Sequence, residues 1–197
     1  MARRCCLLGP WIAAAGLWGS LEAQSAQTFS LQASGLYNGV FGNVFAGLQD
    51  GLGAEAQFRY TPGALSLGAG FQFTVHQVSG RPENLWLYGG FIEPRHRIHV
   101  GSSQVAPYLA ARVSLLKVGF SGGDLSHSSM FIQLNGGGGL LLRLASHLNL
   151  DLGATFGYNH IGSGTVTSRS SGTSVMVGSS SGSNVIARLG LAVGLRD

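Results

Sequence analysis

The sequence contains little charge and almost no cysteine. Only 10% of its 197 residues are charged, against roughly 25% in ordinary soluble proteins. Its two cysteines, Cys5 and Cys6, both lie close to the N-terminus. The chain beyond them therefore offers neither a disulfide nor a thiolate metal site. No run of about 18 apolar residues follows either, which excludes a membrane-spanning helix, although the mean hydropathy is +0.24.

The net charge is small as well. Its formal value is +4, and the basic residues are scattered along the chain. Nucleic-acid-binding domains carry a basic patch or stripe that neutralises phosphates. The sequence therefore predicts no nucleic-acid partner.

The N-terminal residues have the features of a secretory signal peptide. Two arginines precede a short apolar run at residues 7–18, and small residues around Ala23 offer cleavage sites. A membrane anchor is the alternative, but the apolar run is too short to span a bilayer. We therefore expect residues 1–26 to be a signal peptide and residues 27–197 to form one domain.

The remaining sequence alternates between apolar residues and small or polar ones. Strict period-two alternation gives a β-strand two distinct faces. In the clearest example the apolar positions are Leu148, Leu150, Leu152, Ala154, Phe156 and Tyr158. Strands of ~9–11 residues are long enough for a tilted membrane crossing. The pattern predicts eight strands, near residues 28–38, 54–60, 65–75, 85–98, 105–115, 130–144, 148–158 and 184–196.

The connections between these strands are alternately long and short. The short ones lie near residues 61–63, 99–104 and 145–147. In an antiparallel up-and-down sheet, alternate connections lie at opposite ends, so the short turns share one end and the long loops share the other. This asymmetry is typical of outer-membrane barrels.

Three segments leave the local structure open. Residues 121–128 predict a polar loop, and the Ser-, Gly- and Thr-rich residues 161–183 predict either a flexible loop or a hairpin extending into water. Pro94 lies within the fourth strand. Because proline cannot donate a ladder hydrogen bond, it predicts either a bulge or the end of that strand.

The two strand faces distinguish a membrane barrel from a soluble one. In a soluble lipocalin-type barrel the apolar face lines the interior. Here the other face combines small polar residues with a few charges of both signs, which fits a small closed interior crossed by ion pairs, with an apolar exterior in lipid. We therefore predict an all-β fold, an eight-stranded antiparallel up-and-down transmembrane β-barrel. Its predicted lumenal charge network consists of Glu55, Arg59, Glu93, Arg95, Arg112, Arg143, Asp151 and Arg188.

Two parts of the sequence are similar to sequence segments that recur in a known group of proteins. One is Phe91–Arg95 followed by Ala106–Arg112, and the other is Gly136–Gly139 running into residues 140–158. From about Thr28 to its end, the chain resembles the small eight-stranded outer-membrane barrels of the OmpA, OmpX and opacity-protein type. The resemblance implies a place in the outer membrane of a Gram-negative bacterium.

The resemblance also implies partners. These are the lipid and lipopolysaccharide of the outer membrane, the barrel assembly machinery, and an extracellular ligand bound through the long loops; no cofactor is expected. Such barrels usually end in an aromatic residue that resembles an assembly signal, whereas this chain ends in Leu195, Arg196 and Asp197. Either the signal tolerates Leu195, or the assembly machinery reads a variant.

Several features have a chemical interpretation beside a structural one. A phosphate loop needs a following helix, but a leucine-rich strand follows Gly136–Gly139. The favoured interpretation of these glycines is close strand packing or a large neighbour folded over them.

Asp124, Ser126 and His127 lie in one loop, whereas the residues of a catalytic triad usually come from separate segments. The favoured interpretation of this group is a solvated turn. Six histidines at strand ends and turns lack the spacing of a helical zinc site and are predicted to be rim residues at the water interface: His76, His96, His99, His127, His147 and His160.

Exposed apolar residues near the strand ends have two interpretations. Val175–Val177 form an apolar tip within a polar segment, which is either an adhesive contact or the top of a hairpin. Aromatic residues near strand ends fit the girdles of a membrane barrel, with a sugar- or peptide-binding platform as the alternative near the long loops; they are Tyr37, Tyr60, Trp86, Tyr88, Phe156 and Tyr158.

Two classes of function remain. The first is a structural or surface-interaction barrel that serves membrane integrity or adhesion, or that offers a very narrow path to solutes. The second is a barrel enzyme that acts on lipid or protein at the cell surface. A diffusion porin is excluded, because eight strands leave room only for side chains and open channels need ~16–18 strands. We predict the first class without a wide pore, and no enzymatic activity.

Overall fold

The computed structural model describes residues 28–80, 82–121, 125–168, 170–172 and 174–195. The predicted signal peptide, residues 1–26, lies outside these ranges, so it remains an expectation. Within them, the chain is almost entirely β-structure.

Eight long strands form a closed barrel in which every neighbouring pair is antiparallel. They are β1 (Phe29–Phe41), β2 (Gly51–Tyr60), β3 (Leu65–Gln77), β4 (Asn84–Arg97), β5 (Val105–Ser121), β7 (Met130–Ala145), β8 (Leu148–Ile161) and β11 (Ser180–Leu195). Strand β1 pairs with β11, for example through Leu31 and Val193, and this pairing closes the sheet. The predicted all-β, eight-stranded up-and-down barrel is therefore confirmed.

Three short strands form a second sheet in two of the long connections. They are β6 (Leu125–Ser128), β9 (Gly164–Ser168) and β10 (Ser174–Val177), in the order β10-β9-β6. Of the two structures expected for residues 161–183, the hairpin is the one observed. The polar loop expected at residues 121–128 is partly wrong, because Leu125–Ser128 is a strand stabilised by pairing with β9.

The described residues contain one short 3₁₀ turn, Asn43–Phe45. Within that part of the chain, no helix is both long enough and apolar enough to cross a membrane.

The barrel has a short-turn end and a long-loop end. Strands β2 and β3, β4 and β5, and β7 and β8 are joined by short turns at one end, where β1 begins and β11 ends. The other four connections lie at the opposite end, and they include the 3₁₀ turn and the second sheet. Three of them are longer than every short turn, but the connection at residues 78–83, between β3 and β4, is about as short as the turn at residues 98–104. The predicted alternation of short and long connections is therefore confirmed except between β3 and β4.

Strand β4 runs through Pro94 without a break. It extends to Arg97, and its pairing with β5 has the same register before and after the proline, from Ile92 opposite Val113 to Arg95 opposite Ala110. The expected bulge or strand end at Pro94 is therefore wrong. A register shift occurs instead in the pairing of β7 with β8, between residues 143 and 145.

The barrel is apolar outside and polar inside. Large apolar side chains such as Leu109, Phe156 and Leu189 are exposed along the outer surface, whereas charged residues such as Glu93 and Arg112 are buried in the lumen. A soluble barrel has the reverse arrangement. An apolar outer belt around a polar interior is the arrangement of a transmembrane β-barrel.

Replacing a central outward-facing leucine by arginine tests this assignment. Leu152 is exposed and lies between Leu140 and Leu189 of the neighbouring strands. In lipid vesicles, Leu152→Arg should lower the free energy of unfolding by ~2–4 kcal/mol, as charges at the bilayer midplane do. Leu144→Arg, on the same face beside the short turn, should cost only ~0–1 kcal/mol. Equal effects of the two substitutions in denaturant titrations would contradict the assignment.

Candidate functional site

The centre of the lumen is a cluster of ion pairs around one buried carboxylate. Glu93 Oε1 lies 2.9 Å from Arg59 Nη2 and 2.6 Å from Arg95 Nε. Its Oε2 lies 2.8 Å from Arg112 Nε and 2.9 Å from Arg188 Nη1. Because these arginines come from β2, β4, β5 and β11, Glu93 links strands that lie on different sides of the barrel.

Two further carboxylates extend the cluster. Glu55 Oε2 lies 2.7 Å from Arg112 Nη2, and Glu55 Oε1 lies 3.3 Å from Arg188 Nη1. Asp151 Oδ2 lies 2.8 Å from Arg95 Nη2 and 3.5 Å from Arg188 Nε. Four arginines thus face three carboxylates, which leaves one positive charge in excess. We call these seven residues the lumenal ion cluster.

Seven of the eight residues predicted for the lumenal network lie in this cluster, and Arg143 does not. Arg143 is on the lumenal side by alternation, but it lies close to the end of β7, where its side chain is exposed. None of the ion pairs in the described part of the chain includes it. Its inclusion in a buried network was therefore wrong, since alternation alone does not give the depth of a residue in the lumen.

Two uncharged residues that are absent from the predicted network complete the cluster. The hydroxyl of Tyr108 donates to Asp151 Oδ1 at 2.6 Å and accepts from Arg188 Nη2 at 3.1 Å. Gln32 Nε2 donates to Asp151 Oδ2 at 2.6 Å. Both residues fall on the polar face of their strands, and this was the only sequence signal for them. The Arg95 guanidinium also lies 4.4 Å from the centre of the Tyr108 ring, a favourable cation–π contact.

Glycines make room for these large side chains. A Cβ atom at Gly153 would lie 2.6 Å from the Tyr108 hydroxyl and 2.9 Å from Arg188 Nη2. A Cβ atom at Gly68 would lie 2.6 Å from Arg59 Nη2. The small residues on the lumenal face are therefore what allows arginine and tyrosine to cross a narrow interior.

The same effect explains part of the glycine run in β7. Gly136–Gly139 lie within this strand, as the strand interpretation predicted. A Cβ atom at Gly139 would lie 2.4 Å from the Tyr108 hydroxyl. The large neighbour folded over the last of these glycines is therefore Tyr108.

Amide side chains fill the lumen between the ion cluster and the long-loop end. Gln72 accepts from Arg112 Nη1 at 3.1 Å and donates to Gln133 at 3.1 Å. Asn135 donates to Asn184 at 3.1 Å, and Asn184 donates to Asn38 at 3.4 Å. The residues of this amide layer come from strands β1, β3, β7 and β11, and Gln72 joins the layer to the ion cluster.

His76 belongs to the amide layer. It is fully buried, with Nδ1 3.0 Å from the carbonyl oxygen of Gln49 and Nε2 3.4 Å from Asn38 Nδ2. The expectation that it is a rim residue at the water interface is wrong. The alternation of β3 places it inside the barrel, and a long connection folds over it.

The long-loop end of the lumen is apolar. Phe45 of the 3₁₀ turn folds into the barrel mouth, and its ring centre lies 6.3 Å from that of Phe131. Leu87, Leu116 and Val118 are buried beside them. An apolar cavity of about 310 Å³ lies between the turn and these strands. Apolar constrictions of this kind oppose the passage of ions because they favour the loss of water.

The other candidate groups have mixed outcomes. Asp124 and the side chains of Ser126 and His127 lie outside the part of the chain that the structure describes. In the described ranges, no three His, Cys, Asp or Glu side chains are grouped so that they could hold a metal ion. The aromatic residues predicted for girdles all face outward: Tyr37, Tyr60, Trp86, Tyr88, Phe156 and Tyr158.

Together, the fold and the lumen define an eight-stranded transmembrane barrel whose interior is filled by side chains. Solved structures with similar folds are outer-membrane proteins. Neisserial surface protein A is 18% identical over 86% of this chain and 98% of its own, with a TM-score of 0.63. The outer membrane protein OprG from Pseudomonas aeruginosa is 10% identical over 90% of this chain and 100% of its own, with a TM-score of 0.57.

A major outer membrane protein from Thermus thermophilus is 16% identical over 86% of this chain and 100% of its own, with a TM-score of 0.54. No protein-family model matches the sequence, and neither does any curated protein. Identities this low establish a shared fold and not a shared activity.

The ion cluster should contribute strongly to stability through Glu93. Glu93→Gln leaves four arginines facing two carboxylates in a buried site. Removing one partner of a buried ion pair costs ~3–5 kcal/mol, so denaturant titration of the variant in vesicles should show a loss of that size. Arg143→Gln, an exposed position outside the cluster, should change stability by less than ~0.5 kcal/mol. If both variants unfold alike, the cluster does not stabilise the barrel.

Proposed function

We propose that the protein is an outer-membrane barrel that acts through its extracellular surface. The observation that carries this proposal is the small sheet at the long-loop end. Its strand β10 exposes Val175 and Met176, the latter to 83%. We take these two exposed apolar side chains as part of a contact surface, because apolar patches rimmed by polar residues occur at interaction sites.

The pairing of β10 supports a specific mode of contact. Within the described residues, β10 pairs with β9 alone, so its other edge presents unpaired backbone groups. Proteins usually protect such edges, because an exposed edge strand accepts a further strand from another chain. We therefore propose that a partner adds an extended segment to β10 and covers Met176. The sheet thus supports the adhesive interpretation of Val175–Val177 over that of a simple hairpin top.

The orientation follows from the connections. Outer-membrane barrels have short turns on the periplasmic side and longer loops outside the cell. The short-turn end is then periplasmic, and the second sheet is extracellular. The apolar outer belt contacts the lipid of the membrane, and Lys117, which faces outward near the long-loop end beside Tyr88, suits the phosphates of lipopolysaccharide. The barrel assembly machinery is the remaining proposed partner.

A matched pair of lysine substitutions tests the surface role. Cells that display the full chain should adhere to one another or to immobilised matrix proteins more than cells without it. Met176→Lys should weaken this adhesion about 10-fold, the equivalent of ~1.4 kcal/mol, because lysine blocks edge pairing and removes the apolar contact. Ser179→Lys, an exposed position in the same connection, should leave adhesion unchanged. Equal adhesion of both variants would contradict the role of β10.

The lumen argues against a pore. The ion cluster, the amide layer and the apolar mouth follow one another along the barrel axis, and each is built from buried side chains. Recordings from planar bilayers with the purified barrel should therefore show no stable nanosiemens-scale openings. Such openings in the wild-type protein would make a solute channel the better function. The enzyme alternative has no comparable support, since no catalytic group has been identified in the described residues.

A further inference from the structure

A second polar site lies at the short-turn end of the lumen, beyond the ion cluster. It is a cavity of about 40 Å³ lined by three arginines, Arg59, Arg95 and Arg97. Ser30, Thr61, Ser66 and Asn149 contribute polar groups to the same lining. We call this site the arginine pocket.

The pocket has an excess of positive charge. Among the residues that the structure describes, its lining includes three arginines and no carboxylate. Arg59 and Arg95 belong to the ion cluster, which is already one negative charge short. Arg97 adds another cation, whose guanidinium donates to the carbonyl oxygen of Gly63. Because uncompensated charge in a protein interior is costly, this end of the lumen favours the binding of an anion.

Unpartnered donors point to the same conclusion. Arg59 Nε and Arg95 Nη1 are buried, and within the described part of the chain neither has a hydrogen-bond partner. Their side chains are only 7% and 1% exposed, and both line the pocket. Buried donors are nearly always paired in native proteins. An anion in the pocket would supply the acceptor that these two nitrogen atoms lack.

The volume limits the size of the ligand. A cavity needs ~10–15 Å³ to hold a single water molecule, so a space of about 40 Å³ accepts a small ion and excludes a nucleotide or a peptide. Guanidinium groups bind oxyanions such as phosphate through paired N–H donors. We propose that the arginine pocket binds one small inorganic anion, of the size of phosphate or chloride, and that this anion balances the charge of the lumen.

The test measures the unfolding temperature of the full chain, refolded in a zwitterionic detergent without lipid. Sodium phosphate or sodium chloride should raise the midpoint in a saturable manner, as a ligand specific for the folded state does. Sodium gluconate at the same ionic strength, with an anion too large for the pocket, should not. An equal rise with gluconate would show a general salt effect and would overturn the proposal.

Arg97→Gln identifies the site, with Arg143→Gln as its control. Arg97 lines the pocket but is outside the ion cluster, so its replacement leaves those ion pairs intact. The apparent anion affinity of this variant should fall ~10-fold or more, as expected for the loss of a charged hydrogen bond. Arg143→Gln removes an exposed arginine near the same end and should bind as the wild type does. Unchanged affinity in Arg97→Gln would place the anion elsewhere.

A second variant keeps the proposal testable if Arg97→Gln does not fold. Asn149→Asp places a carboxylate in the lining of the pocket with little change of shape. In gluconate its unfolding midpoint should already match that of the wild type in phosphate, and added phosphate should have no further effect. If Asn149→Asp responds to phosphate as the wild type does, the pocket is not the binding site.

A separate experiment distinguishes a lipid headgroup from a free ion as the source of the anion. It compares the unfolding midpoints of the wild type and Asn149→Asp in vesicles with anionic lipid and phosphate-free buffer. A higher midpoint for the wild type alone identifies the headgroup as a source, and no rise for either protein identifies the free ion.

Discussion

The balance of charge around Glu93 is the interaction on which the interior of this barrel depends. A single carboxylate contacts four guanidinium groups from β2, β4, β5 and β11. In an interior closed to water, each of these charges is costly without its partner. The ion pairs with Glu93 form only when strands that are distant in the sequence meet in the correct register. The cluster therefore favours one register of the closed sheet over registers displaced by even one or two residues.

The same cluster divides the lumen into two parts with different character. At the short-turn end, arginines outnumber carboxylates among the described residues, and the arginine pocket lies beside the ion cluster. Towards the long-loop end, the amide layer is followed by apolar residues around Phe45. The interior is thus filled along its length, which leaves the outer surface and the sheet of β6, β9 and β10 as the parts that are available to large partners. This division supports the proposal that the protein acts through its surface and not as a transport channel.

Much of the fold could be predicted from the sequence, and the errors have identifiable causes. Period-two alternation is strong where one face meets lipid, so all eight barrel strands were found. Strand β6 was missed because its four residues form a strand only through pairing with β9. His76 was assigned to the rim because it lies near the end of its strand. Only the folded structure shows the connection that passes over it and supplies the Gln49 carbonyl.

By itself, the sequence determined which residues face lipid and which face the lumen, and that the strands run up and down with short turns at one end. These properties are local, because alternation and turn residues act over a few positions. Only the tertiary structure decided which charges meet. Arg143 and Arg112 both fall on the lumenal face of their strands and have the same chemistry, yet one is exposed beside a turn and the other contacts two carboxylates. The difference is their height along the barrel axis, which depends on the stagger of eight strands at closure and therefore on residues far apart in the chain.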